Sequence, residues 1–300
     1  MASGSTRAVL YALSANFGIF LAKAVAAALT GSSAMLAEAI HSFADCGNQG
    51  LLLRGMREAK RAPDQEHPLG YGSVVYFWAF LVAVLLFTVG GAFSIYEGAH
   101  KLIEPEPMTR PFIAIGVLIV AIFLEAGSLL GCIREIRKVF PNGSLWQFFR
   151  EGRDSDLIVV LGEDIAALAG LCVALIAVGV TLATGNPMFD ALGSIAVGVL
   201  LILVAVLLAV EIKAMITGQS AARDLEDQMR SFITARPEVA ELFNLISLQR
   251  GNDIMLAVKA RMRETERAAV LVEDINRVEA ALKQAFPQIE WLFFEPDSAD

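Results

Sequence analysis

The sequence predicts an α-helical polytopic membrane protein, six transmembrane helices followed by a small α+β domain, and three observations carry that prediction. Of its 300 residues 56% are hydrophobic and the mean hydropathy is +0.58, a balance outside the range of soluble globular chains. Apolar stretches at 7–29, 33–53, 74–97, 112–133, 157–181 and 188–213 each come near the roughly 20 residues that a hydrocarbon core about 30 Å thick requires. Beyond residue 213 the chain turns polar, which divides it into a transmembrane domain, 1–213, and a C-terminal domain, 214–300.

Only Arg7 precedes the first apolar run and no small-residue cleavage site closes it, so span one is expected to remain in the mature chain. It is Ala-rich, with Ser14, Asn16, Gly18 and Lys23, a composition that allows close helix contact. Thr30-Gly31-Ser32-Ser33 is too short for anything but a tight helical hairpin, so span two packs directly on span one. Span two carries the feature that demands an explanation. Glu38, His41, Asp45 and Asn48 fall on one helix face, with His41 and Asp45 one i,i+4 step apart. Ionisable groups at membrane depth are costly and mark ion or proton pathways, although a polar pair can also serve only to hold helices together.

The connector 54–72 is broken by Pro63, Pro68, Gly70 and Gly72 and is therefore non-helical. It gathers Asp64, Glu66 and His67, either a solvated turn or a peripheral cation-binding loop. Span three bears no charge until Glu97, and Gly90-Gly91 predicts one close helix crossing. Span four contains a single acid, Glu125, flanked by Ala126, Gly127 and Ser128; it should face the bundle interior as a polar partner or a proton-relay carboxylate. Span five holds adjacent carboxylates, Glu163 and Asp164. Neighbours diverge by about 100° on a helix, so at most one points squarely at span two. Span six has Asp190 at one end and Glu211 at the other, which fits scaffolding and subunit contact. The polar segment reads as helix 223–235, strands 242–249 and 254–262 around a turn at 250–253, helix 268–286 and strand 289–294. Ile254, Leu256, Val258, Ala260 and Met262 alternate to give the sheet one apolar face. Val270, Ile275, Val278, Leu282 and Phe286 form the helix stripe that would cover it.

Basic residues set the orientation. Arg54, Arg57, Lys60 and Arg61 follow span two, and Arg134, Arg137, Lys138, Arg150 and Arg153 follow span four. The loops after spans one and five carry none, and that after span three only Lys101 and Arg110, which places both termini in the cytoplasm. Cys46, Cys132 and Cys172 have no metal-site or disulfide spacing and read as small buried hydrophobes. A net charge of −8 argues against nucleic acid as a partner. Three histidines in all exclude histidine-rich diiron oxygenases, and neither HExxH nor GxSxG appears.

Taken together, His41-Ser42-Phe43-Ala44-Asp45, the His67-Pro68-Leu69-Gly70-Tyr71-Gly72 loop and the six-span pattern resemble the cation diffusion facilitator family of divalent-metal/proton antiporters. Glu38-Ala39-Ile40-His41-Ser42 with Asn48-Gln49, Glu163-Asp164 with Ala166-Ala167, and Gly185-Asn186-Pro187 with Asp190-Ala191-Leu192-Gly193-Ser194 look like the branch that includes the animal mitochondrial zinc transporter. The resemblance implies a ferredoxin-like cytoplasmic domain, a homodimer, no enzymatic activity, no permanently bound cofactor, and a mid-membrane metal site. His41 and Asp45 match the family's span-two pair. On span five only the carboxylate matches, Asp164 with Glu163 as its alternate, because the position four residues earlier is Val160. Glu38, Asn48 and Glu125 are then accessory or proton-relay groups.

One imidazole with carboxylates suits zinc, while harder, oxygen-rich sets drift toward manganese or iron. The expected function is therefore export of Zn²⁺ or a similar divalent cation in exchange for protons, across a bacterial inner membrane. Mn, Fe or Co export, or an intramembrane metalloprotein without transport, are the alternatives. The family's cytoplasmic zinc sites use histidines, and residues 214–300 contain neither His nor Cys.

Overall fold

The computed structural model describes residues 2–105, 110–141 and 143–299; the side chains of 2–12, 14 and 15, and with them the expectations placed on Arg7 and Ser14, lie outside the described residues. The chain forms two compact units. The first comprises Met1–Arg57, Phe77–Arg150 and Ser155–Ile212, the second Glu58–Tyr76, Glu151–Asp154 and Lys213–Asp300.

In the first unit the helices are α1 (Ala2–Thr30), α2 (Ser33–Ala59), α3 (Val74–Leu85) continued through a π-helical stretch (Leu86–Ala92) into α4 (Phe93–Ile103), α5 (Pro111–Val139), the short α6 (Leu145–Glu151), α7 (Ser155–Thr184) and α8 (Met188–Gly218). Four of these segments, Val74–Ile103, Pro111–Val139, Ser155–Thr184 and the run beginning at Met188, are long and apolar enough to cross a bilayer, and Asn16–Thr30 is a shorter apolar helix. This is a helical membrane protein. α2 falls outside that set because its polar face lowers its hydrophobicity, and that face is turned inward: Glu38, His41 and Asn48 are wholly buried.

Phe17, Phe77, Phe123, Ile176 and Leu203 instead point outward, as residues facing lipid do. Tight packing is reserved for small residues. A Cβ on Gly98 would meet the Ala191 carbonyl at 2.6 Å, and one on Gly198 the Gly91 carbonyl at 2.7 Å. The backbones of the α3–α4 segment and α8 therefore touch, the close crossing expected at Gly90-Gly91, extended over two further turns. The π-helical stretch lies at that crossing, a local widening that sequence periodicity did not announce.

The second unit is built on a three-stranded sheet in the order β1 (Val239–Arg250), β2 (Asp253–Met262), β3 (Ile289–Pro296). β1 and β2 pair antiparallel through the turn at Gly251 (φ 64°), and β2 and β3 pair parallel. The parallel pair requires a crossover, supplied by α10 (Ala268–Ala285). Ile254, Leu256, Val258, Ala260 and Met262 form the buried face as the alternation predicts. Val278, Leu282 and Phe286 cover it, joined by Met229 and Ile233 from α9 (Arg223–Thr234); Leu271, not Val270, completes the stripe.

Candidate metal centre

α2 buries four polar groups on the face that α1, α5 and α7 pack around. Lys23 of α1 is wholly buried, and its ammonium donates to Glu38 Oε2 at 3.2 Å and to Ser42 Oγ at 2.7 Å. Gly170 of α7 makes room, since a Cβ there would sit 2.5 Å from Glu38 Oε1. Glu38 is thus half of a buried ion pair between α1 and α2.

One turn along α2, His41 Nδ1 stands 3.6 Å from Asp45 Oδ1, beyond hydrogen-bond range. Both ring nitrogens of His41, and Asp45 Oδ1, are buried and have no hydrogen-bond partner within the protein. On the facing helix Glu163 Oε1 accepts from Asn48 Nδ2 at 2.5 Å, and Ser128 Oγ donates to Asp164 at 3.2 Å. Glu163 and Asp164 diverge as adjacent helical residues must, the first toward α2 and the second toward α5. Both line the same cavity of about 530 Å³ with Asp45, Gln49, Glu125 and Val160. It runs from these acids to Met56, Glu135 and Asp156 near the ends of α2, α5 and α7. His41 does not line it. Among the described residues no three His, Cys, Asp or Glu side chains stand close enough together to hold one ion.

Glu125 is mostly buried on α5 and lines both this cavity and a second one, of about 700 Å³, along α1 and α5 that also touches Asn16, Lys23 and Ser128. Lys23, Ser128 and Gln49 were not singled out from the sequence as site residues. The usable signal was Lys23, because a lone lysine inside an apolar span must find an acid.

The loop residues Asp64, Glu66 and His67 belong to the other unit, and Asp64 is already engaged. Its Oδ1 accepts from the Glu66 amide at 3.1 Å and the His67 amide at 2.7 Å, and its Oδ2 from the Tyr71 hydroxyl at 2.7 Å. The Tyr71 hydroxyl and then the His67 amide hold the Asp64 carboxyl below its ordinary range, and the same hydroxyl contact with Asp64 raises Tyr71. The His67 ring packs on Tyr71 at 4.2 Å between centroids. A cation at this loop would have to compete with that turn.

A family model for the cation efflux transmembrane domain matches residues 9–216. The chain is 34% identical over 250 residues to a Xenopus laevis protein named proton-coupled zinc antiporter SLC30A9, mitochondrial, which covers 83% of this chain and 45% of that protein. Its Homo sapiens counterpart is 31% identical over 250 residues, with 83% and 44% covered. Metal tolerance protein C4 of Arabidopsis thaliana is 35% identical over 206 residues, with 68% and 45% covered. The chain therefore spans less than half the length of these relatives. A helical bundle that buries histidine and carboxylates on facing helices and matches the efflux domain over most of its length identifies an integral, multi-pass membrane protein: the chain belongs to the cation diffusion facilitator family of cation efflux transporters, not to an enzyme family.

Proposed function

We propose that this chain is a secondary transporter that carries Zn²⁺, or a similar divalent cation, out of the cytoplasm in exchange for protons. The observation that carries this reading is the set of buried polar atoms without partners, His41 Nδ1 and Nε2 and Asp45 Oδ1, with Asp45 lining the same cavity as Glu163 and Asp164. A buried polar group left unmatched costs about 1–3 kcal/mol, so several in one place need a ligand to justify them. His41, Asp45 and Asp164 are its ligands in this proposal, with Glu163 the alternate.

The site is built for exchange. Asn48 occupies Glu163 and Ser128 occupies Asp164, so an arriving cation displaces neutral hydrogen bonds and not a buried lysine. Imidazole and carboxylate coordinate only when deprotonated, so metal entry expels protons and acid on the receiving side expels the metal. Lys23 keeps Glu38 engaged and out of the ligand set. Glu125, lining both cavities, is the proton-relay carboxylate. One nitrogen with oxygens favours zinc, and manganese, iron or cobalt are the competing cargoes of the same site.

In this proposal α1 and α2 cross the bilayer with the four more apolar segments, making six spans, and residues 1–213 form the transmembrane domain. The αββαβ order of residues 214–300 supports a ferredoxin-like cytoplasmic domain that joins two copies in a homodimer. Both termini face the cytoplasm of a bacterial cell. The names of the animal relatives place those proteins in mitochondria, and membrane fractionation separates the two locations.

Sealed proteoliposomes with a pH dye inside test the reading. Zn²⁺ flux should run opposite to proton flux and exceed that of Mn²⁺, Fe²⁺ and Co²⁺. Asp45→Ala or His41→Ala should reduce it to the level of protein-free liposomes. Metal flux indifferent to an imposed pH gradient, with membrane potential clamped, rules out antiport.

A further inference from the structure

Asp45, Gln49, Leu52 and Met56 follow one another at three- and four-residue steps along α2 and line the cavity of about 530 Å³, so a cation entering from the Met56 end meets Gln49 before Asp45. Most buried acids of the bundle are already answered. Asp190, in the first turn of α8, accepts at Oδ1 from Ser32 Oγ at 2.5 Å and at Oδ2 from the Ser33 amide at 2.6 Å and Ser33 Oγ at 2.9 Å, with Lys101 3.9 Å away. Glu163 accepts from Asn48, and Asp164 from Ser128. Among the described residues, two buried side-chain oxygens without a hydrogen-bond partner belong to residues that line this cavity: Asp45 Oδ1 and Gln49 Oε1. Asn48 Oδ1 is unmatched too, but Asn48 does not line the cavity and its amide nitrogen is committed to Glu163.

The donors around this cavity are few. Among the described residues no three His, Cys, Asp or Glu side chains stand close enough together to hold one ion, and Val160, one turn before Asp164 in the same cavity wall, offers no donor at all. A glutamine oxygen is a donor of a different kind. It is neutral, so it binds a cation without first losing a proton and adds none to the exchange. It is also hard, as carbonyl oxygens are, and suits Mn²⁺ better than it suits Zn²⁺. We propose that Gln49 is a further ligand of the transported cation, its Oε1 joining Asp45 and the acids of α7 where Val160 supplies nothing, and that it weights the site toward harder divalent cations. The inference rests on the transport reading for its cargo, a divalent cation, and adds a residue that lies outside the ligand set of that reading. A buried oxygen left unanswered one turn from an unfinished carboxylate is what a ligand looks like before its ion arrives.

The test uses the full chain purified in detergent, with Mn²⁺ binding read from the paramagnetic resonance of the free ion and Zn²⁺ binding from its competition with Mn²⁺. Gln49→Leu keeps the bulk and removes the donor. It should weaken Mn²⁺ about tenfold or more, since losing even a group that only supports a metal ligand has that effect, and Zn²⁺ by less. Gln49→His should shift the ratio of the two affinities the other way, toward Zn²⁺, and decides the matter alone where Gln49→Leu does not fold. Val160→His places an imidazole one turn from Asp164, so adding Gln49→Leu to it should cost Zn²⁺ less than Gln49→Leu costs the parent. A ratio of affinities that neither Gln49 variant moves overturns the proposal, and so does an equal loss for both ions in Gln49→Leu, which is what a disturbed helix contact gives. Flux of the parent in liposomes separates the two ideas. Affinities that follow Gln49 in a chain that moves no metal keep the ligand and remove the transport reading; zinc flux in the parent with affinities indifferent to Gln49 removes the ligand alone.

Discussion

Two buried carboxylates of the same bundle, one midway along α2 and one in the first turn of α8, are treated in opposite ways. Asp190 has both oxygens matched by hydroxyl and amide donors with a lysine beside them. Asp45 has an oxygen with no donor and a histidine held just out of range. Both lie among apolar helices, so desolvation alone does not distinguish them. The difference lies in what completes each. Asp190 is finished by the protein and can only fasten parts of it together. Asp45 is unfinished, and in the proposed function the transported cation completes it. Glu38, one turn from His41, stands between the two: Lys23 donates to its Oε2, while its Oε1 is buried without a donor.

Stability and function should therefore part company along that line. The largest expected effect is on Asp190→Ala, which strands three donors and leaves Lys101 without its counter-ion; removing one partner of a buried charged cluster typically costs about 3–5 kcal/mol. Asp45→Asn should leave thermal stability within about 1 kcal/mol of the parent, because it removes no bond the protein makes. Zinc should reverse the ranking, raising the melting temperature of the parent and not that of Asp45→Asn, since only a chain that binds gains from mass action. Melting of purified protein in detergent, with zinc and with a chelator, measures both. Equal losses for the two variants would erase the distinction.

Next in size is Lys23→Met, which leaves Glu38 buried without its cation and should cost about 3 kcal/mol. Glu38→Gln added to Lys23→Met should recover most of it, as the pair is structural. If the double variant recovers stability but not flux, Lys23 or Glu38 also serves the transported ion. Normal stability of Lys23→Met by itself would show the pair to be dispensable.

What was legible in the sequence follows the range of the interactions. His41 and Asp45 are neighbours by helix geometry alone, and the strand alternation of 254–262 fixes a buried face whatever surrounds it; both are visible without a fold. The bounds of β1 and α10 shifted by only a few residues. The Lys23–Glu38 pair was not legible, because it depends on how α1 and α2 rotate about the Gly31 turn, and packing sets that rotation. Asp190 read as the polar end of a scaffold helix, since nothing local links residue 190 to residues 32, 33 and 101. Of the candidate site, the acids were legible and their engagements were not: periodicity assigned Glu163 and Asp164 to diverging directions, but only the structure gives Glu163 to Asn48 and Asp164 to Ser128.

The smallest effect concerns Asp64, an exposed acid that the same criterion classes as finished. Its carboxylate accepts from two amides and from the Tyr71 hydroxyl, so it should behave as a turn anchor indifferent to zinc. The pH dependence can be signed at both ends. Asp64 is lowered by folding, so its contribution is complete above the unfolded value near 3.9 and fades only as pH falls through the lower folded value. Tyr71 is raised, chiefly by its bond to Asp64, so its contribution is complete below the unfolded value of about 10 and fades as pH rises through the higher folded one. The bond is therefore intact across the whole neutral range. Ultraviolet titration of the parent minus Tyr71→Phe should show a phenol ionising above 10, unaltered by zinc, and Asp64→Asn should bring it back toward 10 by removing the charged acceptor. A zinc-dependent shift of that phenol would mean that the metal takes Asp64 from Tyr71, and would move this carboxylate from the company of Asp190 to that of Asp45.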